Sequence, residues 1–241
     1  IRNTFRYLLG NLNDTFADID LEKIEIKKLP ELEQYMLHKI YNLDINFNKY
    51  FKNYDFHNLY KELLNFCTVD LSAFYFDIRK DTLYCDPKNS EKRKSSLLLL
   101  NIILKSLLKW FAPILSFTTE EIYQLVSKKE KSIHLEKFIT FPKKFINEEL
   151  NNKWMELIKI RDICNMSIEE KRANKEIGSS LEASLEIKIN KKLFDISKNI
   201  DFAELCITSH AEILQHEQDT IKVNTIKAKG SKCPVCWKIQ E

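Results

Sequence analysis

Residues 31–54 read ELEQYMLHKIYNLDINFNKYFKNY, and their apolar positions recur at steps of three and four. This spacing is typical of one face of a long α-helix. The residues on that face are Leu32, Met36, Ile40, Leu43, Phe47, Phe51 and Tyr54. A helix with one apolar face is stable only when that face packs against other elements. The stretch therefore predicts a long helix with helical partners.

Further helical segments lie on both sides of this stretch. Asp55 is expected to cap a second helix, and Ser90 a third helix that ends or kinks at Pro113. Thr118 and Glu121 have the spacing of a capping box for a short fourth helix. Together with the opening residues, these segments predict an antiparallel helical bundle.

A second unit is predicted beyond the Pro142 linker. Asn147 is expected to cap a long helix, and Gly178, which lacks a Cβ, to end it in a left-handed conformation. Apolar and polar residues alternate from Ala183 to Ile189, which predicts a strand with one buried face. A further helix and two strands would complete a small α+β unit. The fold class is therefore mainly α, a bundle followed by a long helix and a small α+β unit.

The sequence divides into three predicted domains. A helical domain covers residues 1–145, the long helix and α+β unit cover 146–227, and the last segment is 228–241. That segment carries Cys233 and Cys236, a Cys-Pro-x-Cys step that offers two thiolates to a tetrahedral zinc ion. A second pair is expected roughly 15 to 20 residues further on, so we expect this zinc knuckle to be truncated. A redox pair or two unrelated cysteines are the alternatives.

Composition excludes several classes of protein. The 241 residues include three glycines, too few for a glycine-rich phosphate-binding loop. No apolar run is long enough to cross a membrane, and the six irregularly spaced cysteines fit a reducing cytoplasm. The net charge of +3 is too small to indicate nucleic-acid binding by itself. Any RNA binding must therefore depend on local patches.

Five stretches resemble, in order, the C-terminal region of the bacterial isoleucyl-tRNA synthetase family. The longest of these stretches is FCTVDLSAFYFDIRKDTLY at residues 66–84. The others are IRNTFRYLLGNL at 1–12, KWFAPILSFTTEEI at 109–122, KEIGSSLEA at 175–183 and KCPVCW at 232–237. The resemblance spans the whole chain, and the last two stretches distinguish the isoleucyl family from its valyl and leucyl relatives.

The resemblance implies a class I synthetase anticodon-binding bundle that holds the anticodon stem and loop of an isoleucine-accepting tRNA. The whole enzyme would join isoleucine to its tRNA with ATP and magnesium, as a cytoplasmic monomer without DNA or membrane partners. The motifs of its catalytic domain do not occur in this chain, so the chain alone is predicted to be inactive. The alternatives are another aliphatic synthetase and a non-enzymatic helical scaffold that binds protein.

Candidate tRNA-binding residues are those whose charge or ring could meet a phosphate or a base. They are Arg2, Arg6, Arg79, Lys80, Arg93, Lys94 and Trp237. Each has a structural alternative. The opening arginines could pair with acids, the second pair could favour a helix C-terminus, the third could be a solvated charge run, and the tryptophan could pack on the knuckle. The candidate metal ligands are Cys233 and Cys236.

Overall fold

The computed structural model describes residues 1–12, 18–127 and 131–240. The chain forms two compact units, residues 1–147 and residues 148–241. The sequence placed the first boundary two residues earlier. It also separated a third segment from residue 228, which here belongs to the second unit, with Glu241 outside the described residues. No helix within the described ranges has both the length and the apolar character needed to cross a membrane.

The first unit is helical. Its helices are α1 (Arg2–Leu12), α2 (Glu31–Lys52), α3 (Phe56–Asn65), α4 (Asp77–Cys85), α5 (Glu91–Phe111) and α6 (Ser116–Val126). Short 3-10 turns at Leu21–Lys23, Ile26–Lys28, Ile133–Leu135 and Lys143–Phe145 lie in the connections.

A π-helical segment, Phe66–Phe76, joins α3 to α4 without a break. Its wider turn brings each residue over the one five positions earlier, and the Ser72 hydroxyl donates to the Cys67 carbonyl at 2.8 Å. The chain from Phe56 to Cys85 is therefore one long helical path.

This long path runs antiparallel to α2. Near the start of the path, Asn46 Nδ2 donates to Glu62 Oε1 at 2.7 Å. Further along, Lys39 Nζ contacts Asp70 Oδ1 at 2.5 Å, so rising numbers on one element meet falling numbers on the other. The predicted apolar face of α2 is buried from Leu32 to Phe47. The prediction of an antiparallel bundle is confirmed.

Two of the three predicted caps in this unit agree with the structure. The Asp55 carboxylate accepts from the Asn58 N–H at 3.3 Å, and the Ser90 hydroxyl accepts from the Arg93 N–H at 3.3 Å. The capping box predicted at Thr118 is wrong, because α6 already begins at Ser116 with no side-chain cap.

The second unit combines a long helix with two small sheets. Its elements are α7 (Glu148–Ala173), β1 (Ala183–Ile189), α8 (Lys191–Ser197), α9 (Phe202–Leu205), β2 (His210–Gln215), β3 (Lys222–Lys227), β4 (Ser231–Lys232) and β5 (Ile239–Gln240). A 3-10 turn at Ser180–Glu182 leads into β1.

Strand β1 is the centre of the larger sheet. It pairs in parallel with β2 and antiparallel with β3. Its alternating residues from Ala183 to Ile189 are buried, as the sequence predicted. Helix α7 covers β3, where the Ser167 and Thr225 hydroxyls lie 2.7 Å apart. With this unit, the predicted fold class is confirmed.

The end of α7 differs from the prediction. The helix ends at Ala173, and Lys175, not Gly178, takes the left-handed conformation with φ 58°. The Lys175 N–H donates to the Arg172 carbonyl at 3.0 Å and the Glu176 N–H to the Lys171 carbonyl at 3.0 Å, the pattern of a Schellman cap. Gly178 instead donates its N–H to Glu182 Oε2 at 3.0 Å, in a place where a Cβ would lie 3.3 Å from Glu182 Oε1.

Candidate nucleic-acid interface

Helix α1 presents Arg2 and Arg6 to solvent, four residues apart. Arg2 Nη2 lies 3.4 Å from Glu121 Oε2, and both side chains are largely exposed. An exposed ion pair of this kind contributes little to stability, and another anion can readily replace Glu121 as the partner of Arg2. The Arg6 guanidinium forms no hydrogen bond or ion pair with any residue that the structure describes. Arg6 is therefore the more available of the two cations.

The position of Arg79 contradicts the prediction that this residue binds tRNA. Its side chain is buried, with 3% of the residue exposed, and its Nε lies 2.7 Å from Glu33 Oε1. A guanidinium held inside the bundle by a carboxylate cannot reach a phosphate on the surface. Arg79 is a structural residue, and its neighbour Lys80 alone remains exposed.

Helix α1 packs against the last residue of the π-helical segment, just before α4 begins. The Tyr7 ring stacks on Phe76 with centroids 4.3 Å apart, and its hydroxyl donates to the Phe76 carbonyl at 3.3 Å. Arg6 precedes Tyr7, and Lys80 lies one turn after Phe76. The Lys80 ammonium has no partner among the described residues.

Tyr84 belongs to the same region, although it was absent from the predicted set. Burial raises the pKa of Tyr7, and the negative charges that Tyr84 and then Asp77 can carry raise it further. Tyr84 is 61% exposed and lies four residues after Lys80, on the same helix face. That spacing was the available sequence signal. We call Arg6, Lys80 and Tyr84 the α1–α4 face.

Arg93 and Lys94 are engaged locally at the start of α5. Arg93 Nη1 donates to the Asp86 carbonyl at 2.7 Å. Lys94 Nζ lies 2.8 Å from Glu91 Oε1, in a pair that is mostly exposed. Both groups thus have structural partners, and the Lys94 pair is the one that water or another anion can disrupt.

Trp237 lies in a hairpin of the second unit. Strands β4 and β5 pair antiparallel, and the turn between them carries Cys233 to Trp237. Trp237 has φ 63° and is 58% exposed, with Lys232 Nζ 5.1 Å from its ring centroid. The indole therefore has one cationic neighbour and a largely open face.

The same turn is shaped to hold thiolates. The Cys233 N–H donates to the Lys238 carbonyl at 2.8 Å and the Trp237 N–H to the Cys233 carbonyl at 3.0 Å. Hydrogen bonds from the backbone N–H groups of Cys236 and then Val235 lower the pKa of the Cys233 thiol. A thiolate stabilised in this way suits zinc, which binds the deprotonated form.

The donor set fits half of a structural zinc site. Cys233 and Cys236 would supply two of four ligands. Within the described ranges, no group of three or more His, Cys, Asp or Glu side chains could hold a metal ion.

Ser209 attaches this hairpin to the larger sheet. Its hydroxyl donates to the Leu181 carbonyl at 2.5 Å and accepts from the Ile239 N–H at 2.6 Å. Its own N–H donates to the Ala183 carbonyl at 3.1 Å. One side chain therefore links the knuckle to the start of β1.

Comparison with known proteins agrees with this geometry. A family model described as the anticodon-binding domain of tRNA ligase matches residues 33–189, more than half of the chain. An isoleucine–tRNA ligase from Pelagibacter ubique is 71% identical over 241 residues, which is 100% of this chain and 27% of the relative. Isoleucine–tRNA ligases from Bartonella quintana and Agrobacterium fabrum are 39% and 38% identical over 99% of this chain and 25% of their own length. The chain thus spans about a quarter of the curated relatives that it matches.

Proposed function

Because the chain belongs to the family of anticodon-binding domains of tRNA ligases, we propose that it is the tRNA-recognition part of an isoleucine–tRNA ligase. Its high identity over its whole length to an isoleucine–tRNA ligase supports the isoleucyl assignment over the valyl and leucyl alternatives. The ligase activity, with ATP and magnesium, belongs to the full-length protein. The chain alone is inactive in this proposal, because it carries none of the signature motifs of the catalytic domain.

The observation that carries the proposal is the α1–α4 face. Arg6 on α1 and Lys80 on α4 are two exposed cations without partners among the described residues, and α1 packs against the segment that leads into α4. Cations of this kind contact phosphates and set the position of the RNA, whereas base edges and ring faces carry the sequence information. Tyr84 offers a ring on which an unpaired base can stack. This arrangement suits an anticodon stem and loop, and it leaves the acceptor end free to reach a catalytic domain outside this chain.

A filter-binding experiment with an isoleucine-accepting tRNA, at a series of salt concentrations, tests this function. The double substitution Arg6→Ala, Lys80→Ala should weaken binding and reduce the salt slope by roughly 1.5 to 2, because two phosphate contacts are lost. The matched control is Lys27→Ala, Lys143→Ala, which removes two exposed cations that likewise have no partner in the described ranges. A salt-independent affinity, or equal losses in both double variants, would contradict the proposal.

We infer further that the protein works as a monomer in the cytoplasm and uses neither DNA nor a membrane as a partner. Arg2, Arg93, Lys94 and Trp237 remain proposed secondary RNA contacts. Arg2 and Lys94 would exchange their exposed acidic partners for phosphates, and the open face of Trp237 would accept a base.

Zinc is also part of the proposal. Cys233 and Cys236 would hold the ion as two of its four ligands, and the ion would then act as a structural crosslink rather than a reactant. Metal analysis of the chain, and of a version extended by a second Cys-x-x-Cys segment, tests this. We expect one zinc per chain only in the extended version, and its loss on Cys236→Ser. Stoichiometric zinc on the 241-residue chain would mean that other side chains complete the site, with Cys206, His210 and His216 the first to examine.

A further inference from the structure

The turn between α2 and α3 carries an exposed group of aromatic rings. Tyr54 is 82% exposed, and Phe56 and Phe138, which are joined to it through a series of ring contacts, are partly exposed. The rings are in edge contact: Tyr54 lies 6.4 Å from Phe56, and Phe51 lies 6.0 Å from Phe56 and 5.2 Å from Phe138. The exposed Tyr54 ring is thus connected, through Phe56, to the Phe51 ring on α2. The Tyr54 ring thus has an edge contact on one side and leaves a face open to solvent.

The backbone at Tyr54 makes an aromatic side chain an unfavourable choice for stability. The Asp55 N–H donates to the Tyr50 carbonyl at 2.9 Å and the Tyr54 N–H to the Phe51 carbonyl at 3.2 Å, which defines a Schellman cap. Tyr54 occupies its left-handed position with φ 56°, where glycine is the usual residue. Burial does not repay this conformation, because most of the tyrosine is in water.

Positive φ by itself does not mark a site in this chain. Lys175 and Ile207 have φ of 58° and 57° at the ends of other helices. Lys175 extends a charged side chain into solvent, and Ile207 is partly buried. Tyr54 differs from both because it presents an unburied ring.

Two lysines shortly precede Tyr54 along the chain. Lys49 and Lys52 lie in the last turn of α2, and their exposed ammonium groups have no partner in the part of the chain described here. The nearest acid along the chain, Asp55, is engaged as the cap of α3, where the Asn58 side chain and then its N–H lower the pKa of the carboxyl. Its charge is therefore partly satisfied by the helix that it caps.

We propose that this surface binds an unpaired RNA base, which stacks on Tyr54 while the two lysines contact the neighbouring phosphates. We call the surface the turn patch and define it as Lys49, Lys52, Tyr54, Phe56 and Phe138. The inference rests on the proposed tRNA-binding function and adds a second contact point to it. Single-stranded nucleic acid is bound in this way, by rings interleaved with cations. The helical path from Phe56 to Cys85 separates the turn patch from Tyr84 by about 40 Å. The two sites would therefore contact different parts of one RNA.

The test compares binding of an isoleucine-accepting tRNA and of a uridine octamer by variants of the 241-residue chain. Tyr54→Ala should weaken binding of the tRNA about tenfold, because a base loses its stacking partner. Tyr54→Trp should retain the affinity, and its added indole should be quenched when RNA binds. Tyr54→Gly should weaken RNA binding in the same way while the protein becomes more stable, so the loss cannot be assigned to unfolding.

The matched control is Phe117→Ala, which removes a ring that is 93% exposed on α6. It should leave RNA affinity unchanged. The inference is overturned if Tyr54→Ala binds tRNA within twofold of the unmodified chain while Arg6→Ala, Lys80→Ala still weakens it. It is also overturned if Tyr54→Ala abolishes a dimer, measured by sedimentation, without changing RNA affinity. Absence of RNA binding by the unmodified chain would overturn the proposed function as well.

Discussion

Arg79 and Glu33 form a two-point ion pair inside the helical unit. Arg79 Nε donates to Glu33 Oε1 at 2.7 Å, and Nη2 donates to Oε2 at 2.8 Å. The Tyr75 and Ser96 hydroxyls also donate to Oε1, at 3.0 and 3.2 Å. Burial, and then the Glu33 charge, raise the pKa of Tyr75 well above its ordinary value, so its hydroxyl remains a donor. The pair ties α2 to α4 and α5.

Removal of one partner of this pair should strongly destabilise the fold. We expect Arg79→Met to lower the free energy of unfolding by about 3–5 kcal/mol, because a buried carboxylate loses its counter-charge. Urea unfolding measures it. The adjacent substitution Lys80→Met is the control and should change stability by no more than about 0.5 kcal/mol, since Lys80 is exposed. The double substitution Glu33→Leu, Arg79→Met should recover much of the loss. An Arg79→Met variant as stable as the control would show that the pair contributes nothing.

The left-handed cap at Lys175 predicts a stabilising substitution. Lys175→Gly should raise the free energy of unfolding by about 0.5–1 kcal/mol, because glycine adopts this conformation without a Cβ clash, although its unfolded state is more flexible. Ala173→Gly, at the last residue of α7, should instead lower stability by up to about 0.5–1 kcal/mol, because glycine loses more conformational freedom in a helical position. Thermal and urea unfolding of both variants decide the matter. Equal changes in stability for the two variants would mean that the left-handed conformation at Lys175 does not affect how glycine is tolerated there.

The knuckle predicts a pH dependence of thiol alkylation. The N–H donors around Cys233 lower the pKa of its thiol, so its reactive thiolate persists to lower pH than in the unfolded chain. Burial raises the pKa of the Cys67 thiol to about 11, so Cys67 should react much more slowly than Cys233. Mass spectrometry after brief iodoacetamide treatment, across a pH series, gives both rates. The same series in urea is the reference, and a Cys233 midpoint at or above the urea value would refute the expectation.

Ser209 predicts how firmly the hairpin is attached. Ser209→Ala removes both hydroxyl contacts, so the amide hydrogens of Ile239 and Cys233 should exchange faster, while those of β1 should not change. Nuclear magnetic resonance exchange rates report this directly. Ser184→Ala, on β1, is the control because no side-chain link to the hairpin involves Ser184 among the described residues. Unchanged exchange at Ile239 in the Ser209 variant would mean that β4 and β5 are held by other contacts.

Local spacing was sufficient for much of this molecule. The apolar steps of α2 and the alternation of β1 predicted both elements, because each pattern arises from the period of the element itself. Asp55 and Ser90 were identified as caps for the same reason, since a cap and its N–H partner lie within three residues. The fold class followed from these elements.

The charged candidates depended on partners that spacing does not reveal. Arg79 is a residue type that usually lies on the surface, but here it is buried in the bundle and paired with Glu33, 46 positions away. Tyr84 became a candidate only when the structure showed its ring exposed one helical turn after Lys80. Helix α7 ends at Ala173, and Lys175 rather than Gly178 takes the left-handed position of its cap. Periodicity decides which face of an element is apolar, whereas the availability of a charge or ring is decided by the residues that folding brings against it.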